Sequence, residues 1–222
     1  MLGEPAGHLH WRWRQRSVCP TGHEPPKYRR HRSAAWCAAN LHLLPGDRFE
    51  LTAGAEHIVR NPGPAYMRMG KAYLGDVHRG PIEGWSHGDL IPVTNTNAPY
   101  LFIGTGSGLK MAQKAADALG NADVVSAPCL KPFPEKSLRE LAKGREVIVT
   151  FEEHSIYGGL GGVVAETLMG QYLGTFVRVG IQDQFSSLCG NYSFLMESHG
   201  LSSEAVESQI REALNASVQL HD

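Results

Sequence analysis

Cysteine is scarce in this chain, net charge is nearly nil and long apolar runs are missing, and each shortage removes a class of function. The four cysteines, Cys19, Cys37, Cys129 and Cys189, stand far apart with no C-x-x-C pair. Neither a disulfide framework nor a zinc site is indicated, and buried or incidental thiols are expected. A formal net charge of -1 argues against a nucleic-acid surface, which needs a basic excess. No apolar stretch reaches the length of about 18 residues that a membrane helix requires, and no apolar core of a signal peptide opens the chain. The expectation is a cytoplasmic chain with neither membrane nor nucleic acid as partner. The histidines, including His57, His78, His87 and His199, show no H-E-x-x-H or other ligand spacing. No metal site is assigned, and surface or loop positions are expected for them.

With 222 residues the chain can bury one good core or two small ones. Composition divides it. Residues 1–42 carry Arg12, Arg14, Arg16, Lys27, Arg29, Arg30 and Arg32 against only Glu4 and Glu24, with Trp11, Trp13 and Trp36 scattered among them. No apolar period runs through this stretch, so it reads as irregular and disordered. A basic arm with stacking tryptophans is the functional alternative.

From Leu43 the pattern sharpens. Pro45-Gly46-Asp47-Arg48-Phe49-Glu50 predicts a turn into a helix, with Asp47 as its cap and Glu50 three residues on. Asn61-Pro62-Gly63-Pro64 ends the helix near Arg60, and Ala65 to Arg68 is a short strand buried at Tyr66 or Met67. Residues 73–98, rich in Gly, Pro, Asn and His, read as a linker. Residues 99–222 then alternate. Strands are predicted at 100–103, 124–125, 147–151 and 176–179, and amphipathic helices carry Leu109 and Ala112, Leu138 and Leu141, Val164 and Leu168, and Val206 and Ile210. Gly144 is placed for a left-handed cap and Ser203 for the N-cap of the last helix. This alternation gives an α/β fold, a mostly parallel sheet with helices on both faces.

Three groups invite a chemical reading. Glu152, Glu153 and His154 follow a strand, where open α/β sheets place ligands, and could form an acid-base cluster. The structural reading is preferred: the carboxylates favour the positive end of the helix that follows, and the histidine caps or hydrogen-bonds. The glycines of Gly104-Thr105-Gly106-Ser107-Gly108 and of Gly158-Gly159-Leu160-Gly161-Gly162 lack the G-x-G-x-x-G fingerprint and the Walker lysine. Tight strand-to-helix turns explain them better than nucleotide binding.

Five blocks in order and spacing carry a resemblance. They are Asn61-Pro62-Gly63-Pro64-Ala65-Tyr66-Met67-Arg68-Met69-Gly70-Lys71, Gly104-Thr105-Gly106-Ser107, Leu130-Lys131-Pro132-Phe133, the Glu152-to-Gly162 turn, and Arg178 to Phe185. From about Leu44 to about Ala216 the chain resembles the carboxy-terminal half of the transketolase family, thiamine-diphosphate enzymes that move two-carbon ketol units. The resemblance implies that residues 43–72 are a remnant of the pyrimidine-binding domain and that 99–222 are a transketolase C-terminal-like domain. It also implies that Arg68 binds the phosphate of a sugar substrate, a task suited to a planar, permanently charged guanidinium.

No catalytic residue is assigned, because the family's cofactor-activating glutamate and its Gly-Asp-Gly motif are not recognisable here. Glu56-His57 resembles the surroundings of that glutamate, but the Gly-Pro-x-Tyr-x-Arg strand follows too soon, which puts Glu56 on the preceding helix. Thiamine diphosphate and Mg²⁺ are therefore expected only in an assembled enzyme, homo- or hetero-oligomeric, with an amino-terminal, diphosphate-binding subunit as partner. Three readings stand at this point: a section of a split transketolase-like enzyme, a non-catalytic interaction or dimerisation module, and nucleotide binding through the glycine turns.

Overall fold

The computed structural model of the chain describes residues 40–219. The basic stretch over residues 1–39, with Cys19 and Cys37, lies outside the described residues. A small sheet comes first in sequence. Strand β1 (Leu41–Leu43) lies parallel to β2 (Ala65–Met67), and helix α1 (Arg48–Arg60) crosses between them. Leu43 and Leu44 are fully buried. Tyr66 and Met67, expected as buried positions, are only half covered because β2 is an edge strand.

Helix α1 begins where the capping residues predict. Asp47 Oδ1 accepts from the Phe49 and Glu50 amides at 3.0 Å each, and Glu50 Oε2 accepts from the Gly46 amide at 2.6 Å. The other Asp47 oxygen accepts from the Val77 and His78 amides and lies 2.9 Å from His78 Nδ1. One carboxylate thus starts the helix and pins the segment that follows the small sheet. His78 Nε2 faces Glu50 Oε1 at 3.6 Å, and both side chains are buried. His78 is therefore no loop histidine on the surface, since it completes a buried acid-imidazole-acid group.

The larger sheet has the order β3-β5-β4-β7-β8, formed by β3 (Ile91–Pro92), β4 (Tyr100–Gly104), β5 (Ala122–Ser126), β7 (Val147–Ser155) and β8 (Thr175–Ile181). All neighbours are parallel except the edge strand β3. Sidedness follows from the two-residue period of strands. Phe102, Val149 and Phe151 face α2 (Gly108–Leu119) and α6 (Ser203–Gln219) through Leu109, Ala112, Val206 and Ile210. Leu101, Ile103 and Ile148 face α3 (Glu135–Ala142) and α4 (Leu160–Leu168) through Leu138, Leu160, Val164 and Leu168. A sheet covered on both faces needs apolar side chains pointing both ways, which is why β4 and the first half of β7 read as continuous apolar runs.

Several details differ from the sequence reading. Strand β7 continues through Ser155, so Glu152, Glu153 and His154 lie within the strand, not after it. Ser202 Oγ, not Ser203, accepts from the Ala205 amide at the start of α6. The linker contains β3, and its last residues are tied down by Asp123, which accepts from the Thr96 and Ala98 amides and pairs with Arg145 at 2.6 Å. Strand β6 (Cys129–Lys131) follows β5 after two residues yet pairs antiparallel with β1, joining the two sheets. A short helix, α5 (Tyr192–Ser198), precedes α6. Among the described residues no helix is long and apolar enough to cross a membrane.

The group around His78 generates a pH prediction. Burial pushes the Glu50 carboxyl up from 4.5 to about 7, so the folded chain holds an extra proton between those values and loses stability as pH rises through them. Burial alone would lower His78, but its hydrogen bond to Asp47 and the Glu50 charge raise it above 6.5, adding a loss above that pH. Asp47, held low by His78 and backbone amides against the effect of burial, acts oppositely and loses stability as pH falls below 3.8. Denaturant unfolding should therefore show stability falling between pH 5 and pH 8, by a few kcal/mol at most. Glu50→Gln should flatten the fall. Parallel curves for the two proteins would refute the assignment.

Candidate functional site

The end of β2 and the outer half of β7 converge. The Arg68 amide donates to the Leu43 carbonyl at 2.8 Å, extending the parallel ladder by one residue and fixing where the side chain leaves the sheet. Arg68 Nη2 then lies 3.2 Å from Glu153 Oε1, with side-chain exposures of only 18% and 15%. Tyr192, at the start of α5, lies near Ser107 and Glu153, and its buried hydroxyl has no hydrogen-bond partner among the described residues. Burial, then the Glu153 charge, push this phenol up to about 12, so it stays protonated and can donate.

Alternation along β7 gives the two glutamates different tasks. Glu152 is fully buried, and its two oxygens accept from the Leu160 and Gly161 amides at 2.8 and 3.0 Å. These amides open α4, whose N-cap Gly159 has no side chain to satisfy them. Glu152 Oε2 also lies 2.7 Å from His154 Nε2. The capping alternative thus describes Glu152 and His154, while Glu153, one residue between them, joins Arg68 across 85 positions of sequence.

The glycines fit the same account. A Cβ at Gly159 would stand 1.9 Å from Glu152 Oε2 and 2.2 Å from His154 Nε2, and one at Gly161 would meet Arg178 and Glu152. In the other turn, a Cβ at Gly104 would lie 2.4 Å from Leu109 Cα, and one at Gly108 would lie 2.2 Å from the Phe151 carbonyl oxygen. These residues are small because a carboxylate or a neighbouring backbone fills the space beside them.

His42, 2% exposed, packs its ring against Tyr66 at 5.1 Å between centroids. Burial first, then the nearby His154, Arg68 and Lys131, bring its pKa down to about 4, so it is neutral at pH 7. Arg68 and Lys131 thus both act on His42, while Glu153 supplies the negative charge beside Arg68. Sequence reasoning missed His42, Glu153 and Tyr192 as neighbours of Arg68, and only the change of role along β7 hinted at it.

Other singled-out residues lie elsewhere. Glu56 is on the exposed side of α1, paired with Arg60 at 2.6 Å. His57, expected at the surface, is buried on α1 with its Nε2 2.9 Å from His87 Nδ1, because the linker folds back over the helix. Cys129 is buried, which pushes its thiol up to about 12, and Cys189 is exposed; both are free.

The architecture and its glycine turns match a known family. The model of the transketolase C-terminal domain matches residues 92–206, more than half of the chain. The chain belongs to the transketolase C-terminal domain family. Within that family it is 27% identical over 177 residues to a chain of Methanocaldococcus jannaschii described as a transketolase C-terminal section, covering 78% of this chain and 55% of that one. One subunit of the apulose-4-phosphate transketolase of Actinobacillus succinogenes is 25% identical over 160 residues, covering 68% and 50%. A solved split-gene transketolase, an inactive beta4 tetramer, superimposes with a TM-score of 0.74 at 28% identity, over 82% of this chain and 60% of that one. This transketolase C-terminal domain chain spans about half the length of these two curated relatives.

The resemblance drawn from the sequence implies thiamine diphosphate as cofactor. The described residues do not fit that cofactor by themselves. Among them no three His, Cys, Asp or Glu side chains converge as metal ligands. Glu56 is engaged on an exposed helix face, and Glu50 is engaged at the start of α1.

The interlock of Glu152 with the second glycine turn predicts opposite outcomes for two neighbouring substitutions. Gly159→Ala should cost about 2–4 kcal/mol through overpacking against the carboxylate. Gly162→Ala, where a Cβ meets nothing within 4 Å, should be neutral or stabilise the helix by up to about 1 kcal/mol. Thermal melting of the two variants checks this. Equal effects would remove the interlock.

Proposed function

We propose that the chain is the carboxy-terminal section of a transketolase-like enzyme that transfers two-carbon ketol units between phosphorylated sugars. It works in the cytoplasm within an oligomer, together with an amino-terminal, diphosphate-binding partner chain. In this reading the assembled enzyme holds thiamine diphosphate and Mg²⁺, which supply the carbanion chemistry, and this chain alone holds neither. Its own contribution is a substrate-binding arginine.

The observation that carries the reading is Arg68. It directly follows β2 in the Gly63-Pro64-Ala65-Tyr66-Met67-Arg68 segment, its amide is held by the Leu43 carbonyl, and its side chain is mostly buried beside Glu153. A fixed guanidinium there suits a phosphate group, since it offers several donors in one plane. The division of labour is supported by the relatives, one a single subunit of a transketolase and one a split-gene transketolase.

A second reading, a non-catalytic interaction or dimerisation module, is favoured by the limited pyrimidine-domain remnant. Its acidic residue nearest to the family's glutamate by sequence context, Glu56, is occupied by Arg60 on an exposed helix face.

Co-expression with a transketolase amino-terminal half separates the two. We expect a stable complex with thiamine-dependent ketol transfer from a ketose phosphate. Arg68→Ala should raise KM for phosphorylated acceptors about 30-fold or more, the effect of losing one charged hydrogen-bonding partner, with a much smaller effect on unphosphorylated ones. A stable complex with no turnover would instead establish the module.

A further inference from the structure

The ion pair at Arg68 joins two parts of the chain far apart in sequence, and its carboxylate has no second structural task of the kind Glu152 performs. Glu152 is committed to the Leu160 and Gly161 amides and to His154. Glu153 points the other way from β7 and meets Arg68 at 3.2 Å, longer than the roughly 2.7–2.9 Å of a tight charge-assisted bond. Tyr192 and Ser107 lie close by, and both of their hydroxyls are buried without a hydrogen-bond partner among the described residues. Around them the positive charges of Arg68 and Lys131 reach as far as His42.

A phosphate dianion carries more charge and more acceptor oxygens than a single carboxylate, so it suits a guanidinium fork in this setting better than Glu153 does. Moving Glu153 would leave the α4 cap intact, because that cap hangs on Glu152 alone among the two.

We infer that Glu153 is a built-in competitor for phosphate at Arg68: its carboxylate holds the guanidinium while the site is empty of phosphorylated ligand and swings toward Tyr192 and Ser107 when one arrives. This rests on the reading of Arg68 as the phosphate ligand. The C-terminal domain thereby senses substrate occupancy through one side chain, and it discriminates against weakly charged ligands, which cannot displace a carboxylate. Glu153 is a positioning residue in this scheme and touches no reacting atom.

The test is a titration of the full chain with inorganic phosphate, followed at the Arg68 side-chain Nε–H resonance by NMR. Glu153→Gln should tighten phosphate about fivefold, the scale of a single competing ion pair, and Glu153→Asp, which keeps the charge but withdraws it by one methylene, should tighten it less. Phosphate should also raise the melting temperature of Glu153→Gln more than that of the unmodified chain, an effect that a merely structural glutamate would not produce. Should Glu153→Gln prove too unstable to titrate, Glu153→Asp carries the comparison, and equal affinity to the unmodified chain overturns the inference. Arg68→Ala separates the two claims. If it abolishes phosphate binding while Glu153→Gln leaves the affinity unchanged, the competitor role falls and the Arg68 reading survives. If Arg68→Ala binds phosphate as well as the unmodified chain, or if neither the unmodified chain nor Glu153→Gln binds it, both fall.

Discussion

One buried carboxylate organises the outer end of β7 and the start of α4. Glu152 has no exposure to water and would be costly there if left unpaired. Two helix-start amides and one imidazole surround it. The arrangement works in both directions, since α4 has a glycine where a capping side chain would normally stand. Strand, glycine turn and helix are therefore a single unit, with the carboxylate taking the place of a Ser or Asp cap. Gly159 and Gly161 must stay small so that it can reach.

The same strand then uses its pleat to do something different. Although the pairing of β7 with β8 shifts register between Phe151 and Ser155, Glu152 and His154 are held toward the start of α4 and Glu153 is left to meet Arg68 just beyond β2. A structural requirement on one side of β7 thus sets the position of a charged group on the other. The proposed substrate arginine is held by a carbonyl from its own small sheet and by a carboxylate from the larger one. Its geometry depends on both sheets at once.

Much of the larger sheet was legible in the sequence because its signals are local. Apolar runs at 100–103 and 147–151, glycine turns, and the three- and four-residue spacing of Leu109, Ala112, Val206 and Ile210 report their own burial. Asp47 was legible as a cap for the same reason. The elements that escaped are those whose reason lies elsewhere in the chain. Strands β1, β3 and β6 are two or three residues long and exist through their ladders with distant partners. The burial of His57 and His78 comes from a linker folding back, which no period in either segment records. Arg68 was legible by resemblance, but its partner Glu153 was hidden among three residues that look like one cluster and serve two purposes. Composition could not divide them; only the strand's continuation to Ser155 does.

The path of the chain after β5 has a practical meaning. Two residues, Ala127 and Pro128, separate a strand of one sheet from β6, which is woven into the other beside β1. A fragment beginning at the apparent linker would carry β6 away from its ladder with β1 and expose the hydrogen-bonding edge of a strand that no longer has that neighbour. The two sheets are therefore stitched, and protein engineers seeking a minimal autonomous piece should keep residue 41 and residue 131 in the same polypeptide.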